Sequence, residues 1–273
     1  MPHMLFFGFG YCAAALAPLL AARGWQLSAS CRDDEKAARL QAQNITPVHL
    51  GAEKFSAPLS AVTHILLSAA PTESGDPALP YIKSLLNAQA EAPQWVGYLS
   101  TTGVYGDHGG AWIDEDTPPG AVGARGQRRV DAEAAWAQLA AAQHVPMHYF
   151  RLAGIYGPGR NQLRSVQNGT ARRIDKPGQV FSRIHVDDIA QILLASIDRP
   201  QAGRAYSVCD DEPAPPQEVV AFAAALLGVT PPPLTPFAEA ELSPMARSFY
   251  GDNKRIRNER LKQELGVSLR YPT

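Results

Sequence analysis

The segment Gly8-Phe9-Gly10-Tyr11-Cys12-Ala13 constrains this chain more than any other, because it joins a short apolar run to an alanine- and leucine-rich stretch. Met4-Leu5-Phe6-Phe7-Gly8 reads as a buried strand, and Tyr11 to Arg23, followed by Gly24 as a C-cap, reads as a helix. A strand, a tight turn of the form G-x-G-x-x-A and a helix predict a dinucleotide-binding unit. Gly8 permits the turn, Gly10 lets a pyrophosphate approach the backbone, and Ala13 is small enough for close helix–strand packing. Phe9, Tyr11 and Cys12 complete the loop, and the first free N–H groups of the helix would face the diphosphate.

The pattern repeats downstream. Trp25 to Cys31 alternates as a second strand, and Asp33 to Ala42 is a polar helix with an acidic first turn. His64 to Ser68 and Trp95 to Ser100 are buried-strand candidates separated by a helical pattern around Tyr81 to Ala90. Val130 to Gln143 and Val186 to Ile197 read as helices, with a strand at His148 to Leu152. This alternation predicts a Rossmann-type α/β fold, a doubly wound parallel sheet with helices on both faces. From Asp210 the texture changes to proline-rich loops around helices at Gln217 to Leu227 and Asn253 to Leu265. The expected division assigns 1–155, rejoined by 184–208, to a nucleotide-binding domain. The remainder, 156–183 and 209–273, forms a smaller, interleaved C-terminal α/β substrate domain.

Composition narrows the function. Of 273 residues 45% are hydrophobic and 19% charged, a globular balance that excludes extended disorder. The formal charge of −1 leaves no basic excess for nucleic acid or an anionic membrane. The longest apolar run, Cys12 to Ala22, contains Pro18 and is too short to span a bilayer, and no basic segment precedes it as a leader would require. A cytoplasmic location is expected. Cys12, Cys31 and Cys209 match neither a zinc pattern nor a disulfide framework and read as reduced, buried thiols.

Cofactor choice rests on the end of the second strand, where an acid would bond a ribose 2′-OH and an arginine would meet a 2′-phosphate. Cys31 and Arg32 occupy that place, which favours NADP, while Asp33 and Asp34 keep NAD open. Ser68-Ala69-Ala70 ends the strand at His64 with small residues that make room for the nicotinamide half.

Three further segments are Leu99-Ser100-Thr101-Thr102-Gly103-Val104-Tyr105-Gly106, Arg151-Leu152-Ala153-Gly154-Ile155-Tyr156-Gly157-Pro158-Gly159 and Arg183-Ile184-His185-Val186-Asp187-Asp188-Ile189-Ala190. With the glycine turn, and in this order, they resemble the extended short-chain dehydrogenase/reductase family, the NAD(P)-dependent epimerase/dehydratase group acting largely on nucleotide sugars. The resemblance covers residues 5 to about 210, and Leu265-Gly266 with Tyr271-Pro272-Thr273 looks like the family's last helix and tail. It implies that Thr101 holds the catalytic Ser/Thr position, Tyr156 borders the nicotinamide, and Thr102 and Arg183 meet the substrate, Arg183 at a diphosphate. It also implies a small-molecule substrate and a homodimer paired through helices that include the one holding Glu133.

The family's Y-x-x-x-K pair does not match. Counting back from Ala132-Glu133 places Arg125 at the tyrosine and Arg129 at the lysine, and no tyrosine occurs between Tyr105 and Tyr149. Arginine stays protonated and is a poor general base, so the tyrosinate relay cannot run unchanged. Arg125 and Arg129 are therefore expected to clamp an anion or stabilise an oxyanion, as in an atypical branch of the family lacking the tyrosine. The literal Tyr250-x-x-x-Lys254 reads as coincidence, with Lys254 opening the last helix. His185 to Asp188 reads as a helix cap, and His144 with His148 cannot share a helix face across Pro146 to bind a metal. Asp114-Glu115-Asp116 reads as a solvated loop that could otherwise supply the missing base. Two functions follow: an epimerase-, dehydratase- or reductase-like enzyme with a non-standard site, or a non-catalytic dinucleotide sensor or assembly protein.

Overall fold

The computed structural model describes residues 1–51, 62–89 and 91–273. The chain opens with β1 (His3–Phe7), α1 (Tyr11–Ala21), β2 (Gln26–Cys31), α2 (Asp34–Gln41) and β3 (Thr46–His49). Next come β4 (His64–Leu67), α3 (Leu79–Ala88), β5 (Trp95–Thr101), a 3-10 turn at Thr102–Tyr105, β6 (Trp112–Ile113) and α4 (Ala124–Gln143). They are followed by β7 (Met147–Leu152), β8 (Gly154–Tyr156), α5 (Gln162–Gln167), β9 (Arg173–Asp175), β10 (Arg183–His185), α6 (Val186–Asp198) and β11 (Ala205–Val208). The last elements are α7 (Pro216–Leu226), β12 (Leu234–Pro236), α8 (Pro244–Phe249), β13 (Arg255–Ile256) and α9 (Glu259–Leu265). Ala90, the expected end of the third helix, lies outside the described residues.

Seven strands form one parallel sheet in the order β11-β7-β5-β4-β1-β2-β3. Its faces are read from β1, whose four apolar residues alternate. Met4 and Phe6 join the core shared with α1 and α6, whereas Leu5 and Phe7 join the core shared with α3 and α4. A strand apolar at every position is what burial on both faces requires. Phe6 is fully buried, so truncating it to alanine would cost about 3–5 kcal/mol. The doubly wound expectation therefore holds.

Two strands of this sheet, β3 and β11, were not legible in the sequence. Three small parallel pairs, β8 with β10, β9 with β12 and β6 with β13, stand outside it. One of them corrects the last helix. Arg255 and Ile256 pair in extended form with Trp112 and Ile113, so α9 starts only at Glu259 and Lys254 does not open it. Lys254 is instead buried and donates from Nζ to the carbonyl of Gly106 at 2.7 Å. The acidic loop also departs from expectation. Glu115 turns inward, accepts the Ser207 N–H at 2.7 Å and pairs with Arg260, so it is tied to the β11 edge and is no free base.

Candidate functional site

Parallel pairing brings the carboxyl ends of β1, β2, β4 and β5 to one edge, and β1 lies between β2 and β4, where the strand order reverses. A crevice opens at that point in sheets of this kind. Gly8 forms its floor with φ +88°. Its N–H donates to Ser30 Oγ at 2.8 Å and its carbonyl accepts from Ser68 Oγ at 2.7 Å. A Cβ at Gly8 would stand 2.8 Å from Ser68 Oγ, so both backbone sterics and space demand glycine. Ser68 thus latches the turn, where the sequence suggested only a small residue.

Above Gly10 the situation is reversed, since nothing lies within 4 Å of where a Cβ would sit. Gly10 is the N-cap of α1 and no side chain caps the helix, so its first N–H groups have no side-chain acceptor. A diphosphate fits this cradle by chemistry and by room. Phe9 meets Phe6 edge-on at 5.4 Å, and its carbonyl accepts from Lys36 Nζ at 2.9 Å. Ala13 is buried against β1, and burial pushes the Cys12 thiol up to about 11, which makes it packing and no nucleophile.

Beyond the buried Cys31 at the end of β2 lies a cavity of about 260 Å³ lined by Gly8, Arg32, Asp33, Lys36, Arg39 and Ala69. The Asp33 carboxylate is already committed, accepting the Lys36 N–H at 2.7 Å as the cap of α2. Three cations line the cavity, Lys36 bonded to the Phe9 carbonyl and Arg39 3.5 Å from Glu35, beside the engaged Asp33. Lys36 and Arg39 were missed in the sequence, although their positions four and seven residues beyond Arg32 put all three within reach of one helix face. Ala70 is exposed at the rim.

At the end of β5, Thr101 Oγ1 accepts the Gly103 N–H at 3.2 Å and caps the 3-10 turn that Thr102 opens. That bond uses a lone pair and leaves the hydroxyl hydrogen to donate. Arg125 and Arg129 are one turn apart on α4. Arg129 donates from Nη1 to Leu99 O at 2.8 Å and to Tyr98 Oη at 3.0 Å, while the Arg125 guanidinium lies 5.0 Å from the Phe249 ring centroid on α8. Further along α4, buried Glu133 accepts from Ser100 Oγ and pairs with Arg151 at 2.8 Å, pinning the helix to β5 and β7.

The β8–β10 register sets Arg183 beside Gly154 and His185 beside Tyr156. The rings of Tyr156 and His185 meet edge-on at 5.1 Å, and burial with the nearby Asp210 pushes the phenol up to about 12. Arg183 donates to the carbonyls of Phe181 at 2.9 Å and Ala214 at 3.3 Å. Burial pulls its guanidinium down and the Asp210 charge opposes that. Asp210 itself is buried, which raises its carboxyl to about 7, and no sequence pattern had marked it. His185 Nδ1 caps α6 by accepting the Asp187 N–H at 3.1 Å, as expected. Among the described residues no cluster of three or more His, Cys, Asp or Glu could hold a metal, and no helix is long and apolar enough to cross a membrane.

No family model matches the chain. It is 50% identical to a conserved protein of unknown function from Silicibacter pomeroyi DSS, covering 100% of this chain and 95% of that one with a TM-score of 0.91. Protein YeeZ of Escherichia coli K12 is 28% identical over 285 residues, covering 100% of this chain and 97% of YeeZ. A candidate NAD-dependent epimerase/dehydratase from Methylobacillus flagellatus is 26% identical, with a TM-score of 0.71 and coverage of 100% and 94%. Among structures that share the fold alone is dTDP-glucose 4,6-dehydratase of Bacillus anthracis in complex with NAD, at 16% identity, TM-score 0.76 and coverage of 99% and 92%.

Proposed function

The chain belongs to the family of the conserved Silicibacter pomeroyi protein, and on that premise we propose that it binds a nicotinamide dinucleotide, NADP(H) in preference to NAD(H), and uses it on a nucleotide sugar or similar anionic small molecule. The observation that carries this reading is the glycine turn. Gly8 is locked in place where no side chain fits, and two residues later Gly10 stands under open space at an uncapped helix start. The turn accounts for an anion with two phosphates better than for packing alone. The preference for NADP rests on Arg32, Lys36 and Arg39 around the cavity beyond β2, with Asp33 spent on its cap.

When bound, the nicotinamide would supply hydride chemistry. Gly8, Gly10, Tyr11 and Cys12 would hold the diphosphate, Ser68, Ala69 and Ala70 would flank the nicotinamide half, and Tyr156 would border it. Thr101 donates its hydroxyl hydrogen to the reacting oxygen. Arg125 and Arg129 would supply fixed positive charge at the places that the resemblance assigns to a tyrosine and a lysine. Arg183 and Thr102 meet the substrate, with residues 156–183 and 209–273 as the substrate-binding part. A homodimer through the α4 face is the assembly we expect.

One observation favours a second reading. Arg129 Nη1 is committed to Leu99 O and Tyr98 Oη, and a guanidinium does not give up its proton, which suits a protein that binds the cofactor without turnover. Cofactor titration followed by stopped-flow hydride transfer over a nucleotide-sugar panel separates the two. Absorbance change at the nicotinamide band with any substrate supports the enzyme. Saturable binding with no hydride transfer supports the sensor.

A further inference from the structure

The turn after β8 lies against the start of α1. Gly157 and Arg160 exchange backbone hydrogen bonds at 2.9 and 3.0 Å, and Asn161 Nδ2 braces the Gly157 carbonyl at 2.8 Å. Gly157 has φ +152°, and a Cβ there would stand 2.6 Å from Tyr11 Oη and 3.3 Å from His185 Nε2. Tyr11 Oη in turn donates to the Pro158 carbonyl at 3.0 Å. The first residue of α1 and the 157–160 turn are therefore locked together.

Two unused groups converge there. The Arg160 guanidinium lies 6.0 Å from the Tyr11 ring centroid; burial raises both the Tyr11 phenol and the Cys12 thiol, and the Arg160 charge offsets part of that rise. Among the described residues it has no ion-pair partner. The His185 side chain is only 8% exposed, and its Nδ1 is the acceptor for the Asp187 N–H. In the neutral ring the proton therefore sits on Nε2, which has no hydrogen-bond partner among the described residues. The Asp187 carboxylate lies 3.7 Å from His185 Nδ1 and is also felt by Tyr11.

We propose that Arg160 binds the cofactor diphosphate from the lip opposite the glycine turn, positioned by Tyr11 and the Gly157 turn, with His185 Nε2–H as the donor beside it. This rests on the reading of the glycine turn as the dinucleotide site. The helix supplies partial positive charge from one side of the diphosphate and Arg160 a full charge from the other. Because the 157–160 turn is covalently continuous with β8, which pairs with β10, a diphosphate held there would also help to fix Tyr156 and Arg183 for a substrate.

The test is calorimetric titration of wild type, Arg160→Ala, Arg160→Gln and Arg160→Lys with NADPH, NADH, ADP-ribose and adenosine 2′-monophosphate. Loss of a charge-assisted contact should weaken the first three alike by about tenfold in the alanine and glutamine variants. It should also flatten the salt dependence of their affinity. The monophosphate, which lacks the diphosphate, should bind as to wild type, and Arg160→Lys should keep most of the affinity. Wild-type affinity for all ligands in both the alanine and the glutamine variant would overturn the inference, as would a loss confined to NADPH, which would place Arg160 at a 2′-phosphate. If wild type binds no dinucleotide, the glycine-turn reading fails and this inference falls with it. Wild-type binding with indifferent variants defeats the Arg160 role alone.

Discussion

Arg129 Nη1 lies 2.8 Å from the carbonyl oxygen of Leu99, on the strand that ends in Thr101. The side chain at the position that the sequence resemblance assigns to a lysine is here part of the scaffold. Its second bond, to the buried Tyr98 hydroxyl, shares the same nitrogen.

Arg129→Ala should therefore destabilise the fold by about 1–3 kcal/mol, because it strips a partner from a buried hydroxyl and a strand carbonyl. Arg129→Lys should recover part of that. Urea unfolding of the two variants measures it, and unchanged midpoints would mean that the bonds count for little.

The two glycines of the turn should respond differently. Gly8→Ala places a Cβ against Ser68 Oγ at a positive φ, so it should lower stability by roughly 1–3 kcal/mol as well as binding. The Cβ of Gly10→Val would have no atom within 4 Å, so this variant should leave the melting temperature near wild type while abolishing dinucleotide binding. Thermal melts and calorimetry on both variants give the comparison.

Arg32→Asp should reverse the cofactor preference, since it removes one of three cations from the cavity beyond β2 and adds a carboxylate that can meet a ribose hydroxyl. The ratio of NADPH to NADH dissociation constants is the readout. An unchanged ratio would remove the basis for choosing NADP.

Stability should depend on pH in two opposite directions. Burial holds His64 and His148 at about 4, against about 6.5 in an unfolded chain, so the unfolded chain binds more protons between those values. Their contribution is complete above about 6.5 and is lost as pH falls towards 4. Asp210 is raised to about 7, so its contribution is complete below about 4 and is lost as pH rises through 7. Relative to wild type, Asp210→Asn should gain on the order of 4 kcal/mol between pH 4 and 8. Chemical unfolding of the pair across that range should show the difference growing with pH, and a flat difference would contradict it.

Much of the site was legible because its constraints are local. A positive φ demands glycine at Gly8, β1 is apolar at each of its four buried positions because both sheet faces are covered, and Ala132-Glu133 fixes the register of α4. What stayed hidden depends on contacts between distant segments. Strand β3 carries Pro47, which argues against a strand until it is seen at the sheet edge, where a missing donor is tolerated. Arg160 meets Tyr11 across 149 residues, Lys254 meets Gly106 across 148, and Glu115 meets Ser207 across 92. No periodicity or spacing encodes such pairings, so the loop around Glu115 read as solvated and Lys254 as a helix start.

The most direct measurement is equilibrium binding of NADPH and NADH to the purified wild-type chain, with Gly10→Val in parallel. Wild type should show saturable, one-site binding of both dinucleotides, tighter for NADPH, and the folded variant should show none. Wild type that takes up neither dinucleotide, or a Gly10→Val variant that binds them equally well, would contradict the dinucleotide reading of the glycine turn.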